Sequence, residues 1–283
     1  MVRLLALDLD GTLLNERKHV LPSAIDALRQ ADAAGMTIAL CSGRNHADAL
    51  HISRLLGIPV WSVSTNGAYL GHSVTGMLRT QPLPLEKAAQ AIRISYQFQA
   101  APCLYTPMRE YNDTGYLSIA RESIRRGQFQ LENPDKIETE VASHSEWGAI
   151  LSQEDGNIMK CISFLPDSAH FPDFRAALDA EGGLTVTTSI MFGGLVASVE
   201  INREGVTKGG TLSFLQKHLG ISAEETLCFG DSGNDLSMLP CGRFIAMGNA
   251  GTEIQSQAFA VTACNNEDGI AQALERFAFA GRI

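Results

Sequence analysis

The sequence lacks several features that mark well-known classes of protein. Its six cysteines, spread from Cys41 to Cys264, contain no Cys-x-x-Cys pair and no cluster, which argues against a zinc site or a disulfide framework. No stretch approaches the roughly 20 apolar residues that a membrane span needs, and the N-terminus has neither a signal-peptide core nor a cleavage site. We therefore expect reduced thiols, a cytoplasmic location and no membrane partner.

The chain also lacks basic runs and glycine-rich nucleotide-binding loops. Its 283 residues carry 22 basic and 31 acidic side chains, and the formal net charge of −9 repels nucleic-acid phosphates. Neither Gly-x-Gly-x-x-Gly nor Gly-x-x-x-x-Gly-Lys-Ser/Thr is present, which weakens dinucleotide and ATP-loop interpretations. A small anionic substrate stays compatible with this composition, because a metal ion and well-placed cations can invert the potential locally.

Apolar strand-like runs alternate with helical periodicity at both ends of the chain. The predicted strands are Arg3 to Leu7, Met36 to Cys41, Pro59 to Val63, Thr226 to Phe229, Arg243 to Met247 and Phe259 to Val261. The predicted helices are Pro22 to Ala34, Asn45 to Leu56, Lys208 to Leu219 and Asp268 to Phe277. Alternating strands and helices indicate an α/β fold with a doubly wound parallel sheet.

The pattern changes in the middle of the chain. Asn66-Gly67 is a strong hairpin signal and predicts antiparallel strands between Ser64 and Leu78. The proline-containing linker at residues 81–84 is followed by helices near 85–98 and 172–180 and by strands near Cys103 and 159–165. This mixture predicts an inserted α+β domain. We expect residues 1–82 and 190–283 to form the core and residues 83–189 to form the insertion.

Two aspartates follow the first predicted strand. In Asp8-Leu9-Asp10-Gly11-Thr12 the carboxylates are two residues apart, so at a strand end they can project to the same side. An ionised aspartate can attack phosphorus if Mg²⁺, held by carboxylate oxygens, offsets the repulsion between two anions. The motif alone also suits a turn or a calcium loop, but its position after an apolar strand favours catalysis.

A second acidic segment, Gly230-Asp231-Ser232-Gly233-Asn234-Asp235, follows the predicted strand from Thr226. Because the carboxyl ends of parallel strands share one edge of a sheet, Asp231 can meet Asp8 and Asp10 there. The same residues would also form an Asx-type turn with a capped helix start. The two interpretations are compatible.

Two weaker signals accompany these segments. Cys41-Ser42-Gly43-Arg44 ends the second predicted strand, where a hydroxyl and loop amides can hydrogen-bond a phosphoryl oxygen. Lys208 lies at the start of a predicted helix, and its ammonium could neutralise both a nucleophile and a phosphate. Either signal alone is also typical of an ordinary loop or of a solvated lysine.

The chain resembles the haloacid dehalogenase superfamily in the order of four motifs: Asp8-Leu9-Asp10-Gly11-Thr12, Ser42-Gly43-Arg44, Lys208 and Gly230-Asp231-Ser232-Gly233-Asn234-Asp235. The large insertion between the second and third motifs is similar to the α/β cap of the Cof-type sugar-phosphate phosphatases, and so are Thr65-Asn66-Gly67-Ala68 and Gly205-Val206-Thr207-Lys208-Gly209. The resemblance implies a Rossmann-like core with a cap. It further implies a Mg²⁺-dependent phosphatase for small phosphate monoesters, such as sugar phosphates or pyridoxal phosphate.

The resemblance also implies a role for each matching residue. Asp8 would be the nucleophile that forms an aspartyl phosphate, and Asp10 would protonate the leaving alkoxide and later activate water. Mg²⁺ would be held by Asp8, the backbone carbonyl of Asp10 and Asp231, with Asp235 supporting these ligands. The phosphoryl oxygens would be held by Ser42, the Leu9 and Gly43 amides, Lys208 and Asn234. Dehalogenases of the superfamily lack the second aspartate, so Asp10 favours phosphoryl transfer.

Recognition of the leaving group is the least determined property of the sequence. The candidate residues are Arg44, Asn66, Tyr105, Arg109 and Lys160, and each also fits an ordinary packing or surface role. A phosphomutase or phosphotransferase built on the same machinery stays open, and so does a receiver-like or phosphate-binding module without turnover. Asp10 and the length of the insertion argue against such a module. The sequence carries no signal for an oligomeric state.

Overall fold

The computed structural model describes residues 1–191 and 196–279, and the chain divides into two compact units. Unit 1 comprises Met1–Arg79, Gln128–Asn133 and the chain from Thr207 onward, and unit 2 comprises Thr80–Gly127 and Pro134–Val206. None of the helices in the described ranges combines the length and the apolar character that crossing a membrane requires.

Strands and helices are numbered in chain order. The strands are β1 (Leu4–Leu7), β2 (Thr37–Cys41), β3 (Trp61–Ser64), β4 (Tyr69–His72), β5 (Gly76–Thr80), β6 (Ala101–Tyr105), β7 (Arg109–Asp113), β8 (Ile137–Val141), β9 (Lys160–Leu165), β10 (Leu184–Met191), β11 (Val196–Arg203), β12 (Thr226–Gly230), β13 (Arg243–Ala246) and β14 (Ala260–Val261). The α-helices are α1 (Pro22–Ala33), α2 (His46–Leu56), α3 (Leu85–Gln97), α4 (Thr114–Arg125), α5 (Trp147–Gln153), α6 (Phe171–Glu181), α7 (Lys208–Leu219), α8 (Thr252–Gln257) and α9 (Gly269–Leu274). Among the shorter segments, the 3₁₀ turns Thr65–Gly67 and Gly233–Cys241 border the site described below.

Unit 1 is built on a sheet with the strand order β14-β13-β12-β1-β2-β3-β4-β5. Neighbouring strands from β14 to β3 are parallel, whereas β3 and β4 are antiparallel on either side of the turn Thr65–Gly67. The predicted doubly wound sheet and the hairpin at Asn66-Gly67 are therefore confirmed. β1 lies between β2 and β12, which belong to the two separate ends of the chain.

The sequence of β1 explains why this sheet is covered on both faces. All four of its residues are buried and apolar. Leu5 and Leu7 join one apolar cluster with residues of α1 and α2, and Leu4 and Ala6 join a second cluster with residues of α7. Because alternate side chains of a strand point to opposite faces, a strand that is apolar at every position needs cover on both sides.

Unit 2 contains a sheet with the order β10-β11-β9-β6-β7-β8. Its pairs are antiparallel except for β7 and β8, which are parallel. Apolar residues of α3, α5 and α6, among them Ala91, Trp147 and Phe174, form one core cluster with the sheet. This mixture of helices and strands is the α+β architecture that the sequence predicted for the insertion.

The boundaries of the two units differ from those expected at residues 83 and 189. β11 lies in unit 2 because it pairs with both β10 and β9, although its sequence was assigned to the core. An alternating strand fits either sheet, and only its partners decide between them. In the opposite sense, the six residues Gln128–Asn133 belong to unit 1, although they lie within the inserted sequence.

Candidate active site

The end of β1 delivers Asp8 into a buried ion-pair network. Asp8 is 4% exposed, and Lys208 at the start of α7 is 2% exposed. The Lys208 Nζ donates hydrogen bonds to Oδ1 of Asp8 and to Oδ1 of Asp235, both at 2.7 Å. A buried ammonium needs such partners, because its desolvation is costly unless charge-assisted hydrogen bonds replace water. The three side chains therefore fix one another.

Asp231 completes what we call the acidic cluster, which consists of Asp8, Asp231 and Asp235 together with Lys208. One oxygen from each of the three carboxylates lies within 4.8 Å of the others. The Thr12 hydroxyl donates to Asp231 Oδ1 at 3.2 Å, and the backbone N–H of Asp231 donates to Asp235 Oδ2 at 3.1 Å. Convergent carboxylate oxygens are the donor set that a hard divalent cation prefers. The acidic cluster could therefore hold a metal ion.

Burial and charge repulsion both shift the pKa values of the acidic cluster. Burial raises the pKa of Asp8 well above its usual range, and Asp235 raises it further, with Lys208 opposing both. Burial and Asp235 raise the pKa of Asp231 to about 6. Burial alone would lower the pKa of Lys208, but Asp235 and Asp8 outweigh it and raise that pKa above its usual value. A bound divalent cation would relieve the repulsion, because it favours the ionised carboxylates.

Two glycines allow the segments of the cluster to approach one another. Gly11 has a φ of +82°, and a Cβ at this position would lie 2.2 Å from Asp231 Oδ2. A Cβ at Gly209 would lie 1.7 Å from the carbonyl oxygen of Ser237, in the 3₁₀ turn that carries Asp235. Only glycine tolerates these approaches without displacing backbone or a cluster carboxylate. A side chain at Gly11 would displace the Asp231 carboxylate, and a side chain at Gly209 would displace the backbone at Ser237.

Asp10 lies two residues from Asp8 in what we call the Asp10 clamp, formed by Asp10, Arg44 and Lys18. The Arg44 Nε donates to Asp10 Oδ2 at 2.6 Å, and its Nη2 donates to Oδ1 at 2.8 Å. The Lys18 Nζ donates to the same Oδ1 at 2.6 Å. Burial raises the pKa of Asp10, but Arg44 and then Lys18 outweigh it and hold the pKa well below its usual range. Because this side chain is still 39% exposed, solvent screens these ion pairs in part.

Arg44 is oriented by the turn that joins β2 to α2. Its backbone N–H donates to Ser42 Oγ at 3.1 Å, and its Nη1 donates to Asp48 Oδ2 at 3.1 Å. The side chain of Asn45 accepts from the Asp48 N–H and caps α2. An asparagine cap satisfies one of the free N–H groups of the first turn and so fixes where the helix begins. The strand end, the turn and the capped helix together direct the guanidinium to Asp10.

Comparison with known proteins identifies the family of this chain. The haloacid dehalogenase-like hydrolases match the chain over residues 5–274. The chain belongs to this family. It is 33% identical to phosphatase YwpJ of Bacillus subtilis over 97% of this chain and 99% of that protein, and 31% identical to pyridoxal phosphate phosphatase YbhA of Escherichia coli over 95% and 96%. The solved structure of a haloacid dehalogenase-like hydrolase from B. subtilis has 26% identity and a TM-score of 0.82, covering 98% of this chain and 100% of that one.

These matches confirm the resemblance that the four motifs carried, and the chain is a phosphoric monoester hydrolase. The motifs of this hydrolase meet at one edge of the sheet, as predicted. Asp235, expected only to support the metal ligands, has an oxygen within 4.8 Å of an oxygen of Asp8 and of Asp231. The carboxylate of Asp10 is bound by cations instead, which leaves its backbone carbonyl for the predicted metal contact.

The predicted phosphate-binding residues lie in the same unit. Leu9 and Ser42 are buried, Gly43 lies in the turn after Ser42, and the Asn234 side chain accepts from Ser232 Oγ at 2.8 Å. Asn66, a candidate for leaving-group contact, is buried and donates its backbone N–H to the carbonyl of Ser42 at 3.0 Å. These residues follow the ends of β1, β2, β3 and β12.

The remaining candidates for leaving-group contact lie in unit 2. Lys160 forms an ion pair with Glu200 at 3.1 Å, and its Nζ lies 4.9 Å from the centre of the Tyr105 ring. The Nη1 of Arg109 donates to the Thr139 hydroxyl at 3.3 Å. Each candidate thus has a partner within its own unit.

Three polar contacts of the site were missed in the sequence. Thr12 lies within the first motif, which gives it no role of its own, and no sequence pattern marks Lys18 or Asp48. Lys18 lies within a turn in which the Asn15 side chain accepts from the N–H groups of residues 17 and 19, and it has a φ of +61°. Asparagine is a common turn former, so the turn was predictable. The reach of Lys18 back to Asp10 was not, because it depends on the path of the whole loop.

Proposed function

We propose that this hydrolase cleaves small phosphate monoesters in two steps, through an aspartyl phosphate on Asp8 and with Mg²⁺ as its cofactor. The contrast between Asp8 in the acidic cluster and Asp10 in its cationic clamp carries this proposal, because the two steps need a nucleophile and a separate acid/base group. Sugar phosphates and related metabolites such as pyridoxal phosphate are the proposed substrates, in keeping with the name of the relative YbhA. The free thiols, five of them buried, support a reducing cytoplasm as the working environment.

The residues that would hold Mg²⁺ are Asp8, Asp231 and the backbone carbonyl of Asp10, with Asp235 supporting them through its hydrogen bonds to Lys208 and to the N–H of Asp231. Their fit to the ion is supported by the all-oxygen donor set and by the raised pKa values of Asp8 and Asp231. When bound, Mg²⁺ supplies positive charge that lets two anions approach and polarises the phosphoryl group. Lys208 holds Oδ1 of Asp8 in place at 2.7 Å.

In the first step, a carboxylate oxygen of Asp8 forms a bond to phosphorus and the bond from phosphorus to the ester oxygen breaks. The leaving alkoxide takes a proton from Asp10 and departs as an alcohol. In the second step, Asp10 accepts a proton from water, the hydroxyl oxygen attacks phosphorus, and the bond to Asp8 breaks to release inorganic phosphate. Ser42, the amides of Leu9 and Gly43, Lys208 and Asn234 would hold the phosphoryl oxygens as charge redistributes.

The Asp10 clamp bears on both steps. The lowered pKa of Asp10 suits the second step, which needs a carboxylate. For the first step, Asp10 needs a proton, and we infer that the negative charge of the substrate dianion raises the pKa of Asp10 while Arg44 keeps the Asp10 carboxyl in position and also attracts the substrate. Arg44 would then contact the substrate, as the sequence predicted. Ser42, Lys208, Asn234 and the amides of Leu9 and Gly43 bind only the phosphoryl group. We therefore assign selection among leaving groups to unit 2, with Arg44 and Asn66 as the candidates in unit 1.

A phosphate-release screen over sugar phosphates, nucleotides and pyridoxal phosphate, with and without Mg²⁺, tests this function. Release should stop with a chelator and return with Mg²⁺. Calcium should support little turnover, because it accepts more ligands in a looser geometry. Full activity in a metal-free preparation would refute the proposed mechanism. Transfer of the phosphoryl to an alcohol in place of water would favour a phosphotransferase.

A further inference from the structure

Asp48 connects Arg44 to a part of the chain that lies outside the four motifs. Its side chain is 1% exposed, and its Oδ2 accepts from Arg44 Nη1 at 3.1 Å. Its Oδ1 accepts from Asn133 Nδ2 at 2.9 Å. Since Arg44 also holds both oxygens of Asp10, four side chains form a continuous line: Asn133, Asp48, Arg44 and Asp10.

Asn133 reaches this line from within the inserted sequence. It ends the segment Gln128–Asn133, which belongs to unit 1, while the chain before it forms α4 and the chain after it forms β8 in unit 2. Leu131 of the same segment packs against the apolar cluster that contains Leu5 and Leu7 of β1. The segment therefore has both an apolar and a polar contact in unit 1.

The line divides the donors of Arg44 between two carboxylates. A buried carboxylate needs hydrogen-bond donors at both oxygens, and Asp48 receives one from Asn133 and one from Arg44. If the donor from Asn133 is removed, Asp48 competes for more of the guanidinium. The guanidinium is planar and rigid, so turning toward Asp48 takes Nε and Nη2 out of line with Asp10.

We propose that Asn133 and Asp48 are positioning residues for Asp10, so that a segment of the inserted sequence contributes to the chemistry of the core. Neither residue touches the reacting atoms; both act through the orientation of Arg44. The proposal rests on the proposed function, because it takes Asp10 to be the acid/base group.

Two substrates distinguish positioning from a merely structural role. The leaving group of p-nitrophenyl phosphate needs no proton, whereas an alkyl phosphate, such as a sugar phosphate that the enzyme hydrolyses, needs one from Asp10. We expect N133A to lose about tenfold more kcat/KM on the alkyl ester than on the aryl ester, because kcat/KM reports the first step; tenfold is the typical effect of one hydrogen bond to a charged group. N133S should lose less than N133A, because a hydroxyl can restore a donor. E132Q, a change at the exposed neighbour in the same segment, should match the wild type on both substrates.

The variants D48N and D10N complete the test. D48N should lose activity with the same substrate dependence, and adding N133A to D48N should cost less than about twofold more, because residues in one network are not additive. If D10N lacks a larger loss on the alkyl ester, the proposed role of Asp10 is wrong and this proposal falls with it. If D10N has that larger loss but N133A lowers both rates by the same factor, only the positioning role is overturned.

Discussion

Asp8 of the acidic cluster and Asp10 of the Asp10 clamp are two residues apart in sequence, but their surroundings differ in the balance of charge. In the cluster, Asp8, Asp231 and Asp235 converge around the single ammonium of Lys208, whereas in the clamp Arg44 and Lys18 converge on the single carboxylate of Asp10. Burial and Asp235 raise the pKa of Asp8, while the cations of the clamp lower that of Asp10 in spite of its burial. Two identical side chains thus acquire different properties from their neighbours, as catalytic carboxylate pairs commonly do.

The largest loss of turnover is expected when Asp8 is replaced. D8N keeps the shape of the side chain but removes the nucleophile, so we expect turnover to fall by at least about 10⁴-fold, as for other covalent catalysts. Mass spectrometry of acid-quenched enzyme should find a phosphorylated aspartate in the wild type and none in D8N. A stable aspartyl phosphate in D8N would show that the nucleophile lies elsewhere.

The corresponding change in the clamp should separate the two chemical steps. D10N should lose roughly 10²- to 10⁴-fold in turnover of alkyl esters, the usual contribution of general acid/base catalysis. It should still be phosphorylated by an activated phosphate, because departure of that leaving group needs no proton. The phosphoenzyme should accumulate, since water is no longer activated. Equal losses of labelling in D8N and D10N would contradict the division of roles.

A pH titration of metal binding sharpens the contrast from the cluster side. The pKa of Asp231 is raised to about 6, so this carboxylate takes up a proton as the pH falls through that value, and protons then compete with Mg²⁺. We expect the Kd for Mg²⁺, measured by calorimetry, to rise as the pH falls through about 6, by about tenfold per pH unit for each competing proton, with Asp8, whose pKa is also raised, adding to the slope. D231N should bind more weakly and with a smaller slope near pH 6. An unchanged slope would assign the competing proton to another group.

The smallest effect is expected from the outer cation of the clamp. Lys18 makes one hydrogen bond to Asp10, whereas Arg44 makes two. Because the Lys18 side chain is 25% exposed, water can partly replace it, and we expect K18M to lose about two- to tenfold in kcat on alkyl esters. R44K, which breaks the bidentate pair, should lose more. K18R should retain most of the activity. The order would be refuted by a K18M variant that is less active than R44K.

Contacts of the site that rest on local sequence signals or on the shared edge of a parallel sheet could be predicted, and other contacts between distant segments could not. The predicted helix Lys208 to Leu219 has the bounds of α7 because its cap, Thr207, and its terminal glycine, Gly220, are local signals. The meeting of Asp8 with Asp231 was also predictable, since parallel strands share an edge. The contact of Asn133 with Asp48 was not predictable, because no local pattern shows that Gln128–Asn133, a short segment of the inserted sequence, belongs to unit 1.

Other parts of the fold were missed for related reasons. The segment after Asp231 was predicted to be a loop entering a helix, but it forms the 3₁₀ turn Gly233–Cys241, which contains Pro240. A proline inside a turn removes an N–H donor and prevents a regular α-helix. β7 and β8 were not predicted, because their many polar and charged residues, such as Glu110 and Glu138, give them the composition of a loop.

The central place of β1 in its sheet has a consequence for the order in which the protein is made. β2 leaves the ribosome soon after β1 and can pair with one of its edges, but β12 follows only after all of unit 2 has been translated. Until then, the other edge of a wholly apolar strand has unpaired backbone groups, which are a template for aggregation. We expect unit 2 to fold on the ribosome before this edge of β1 pairs with β12. Asp8 is thus synthesised 200 residues before Lys208, the partner that holds its carboxylate.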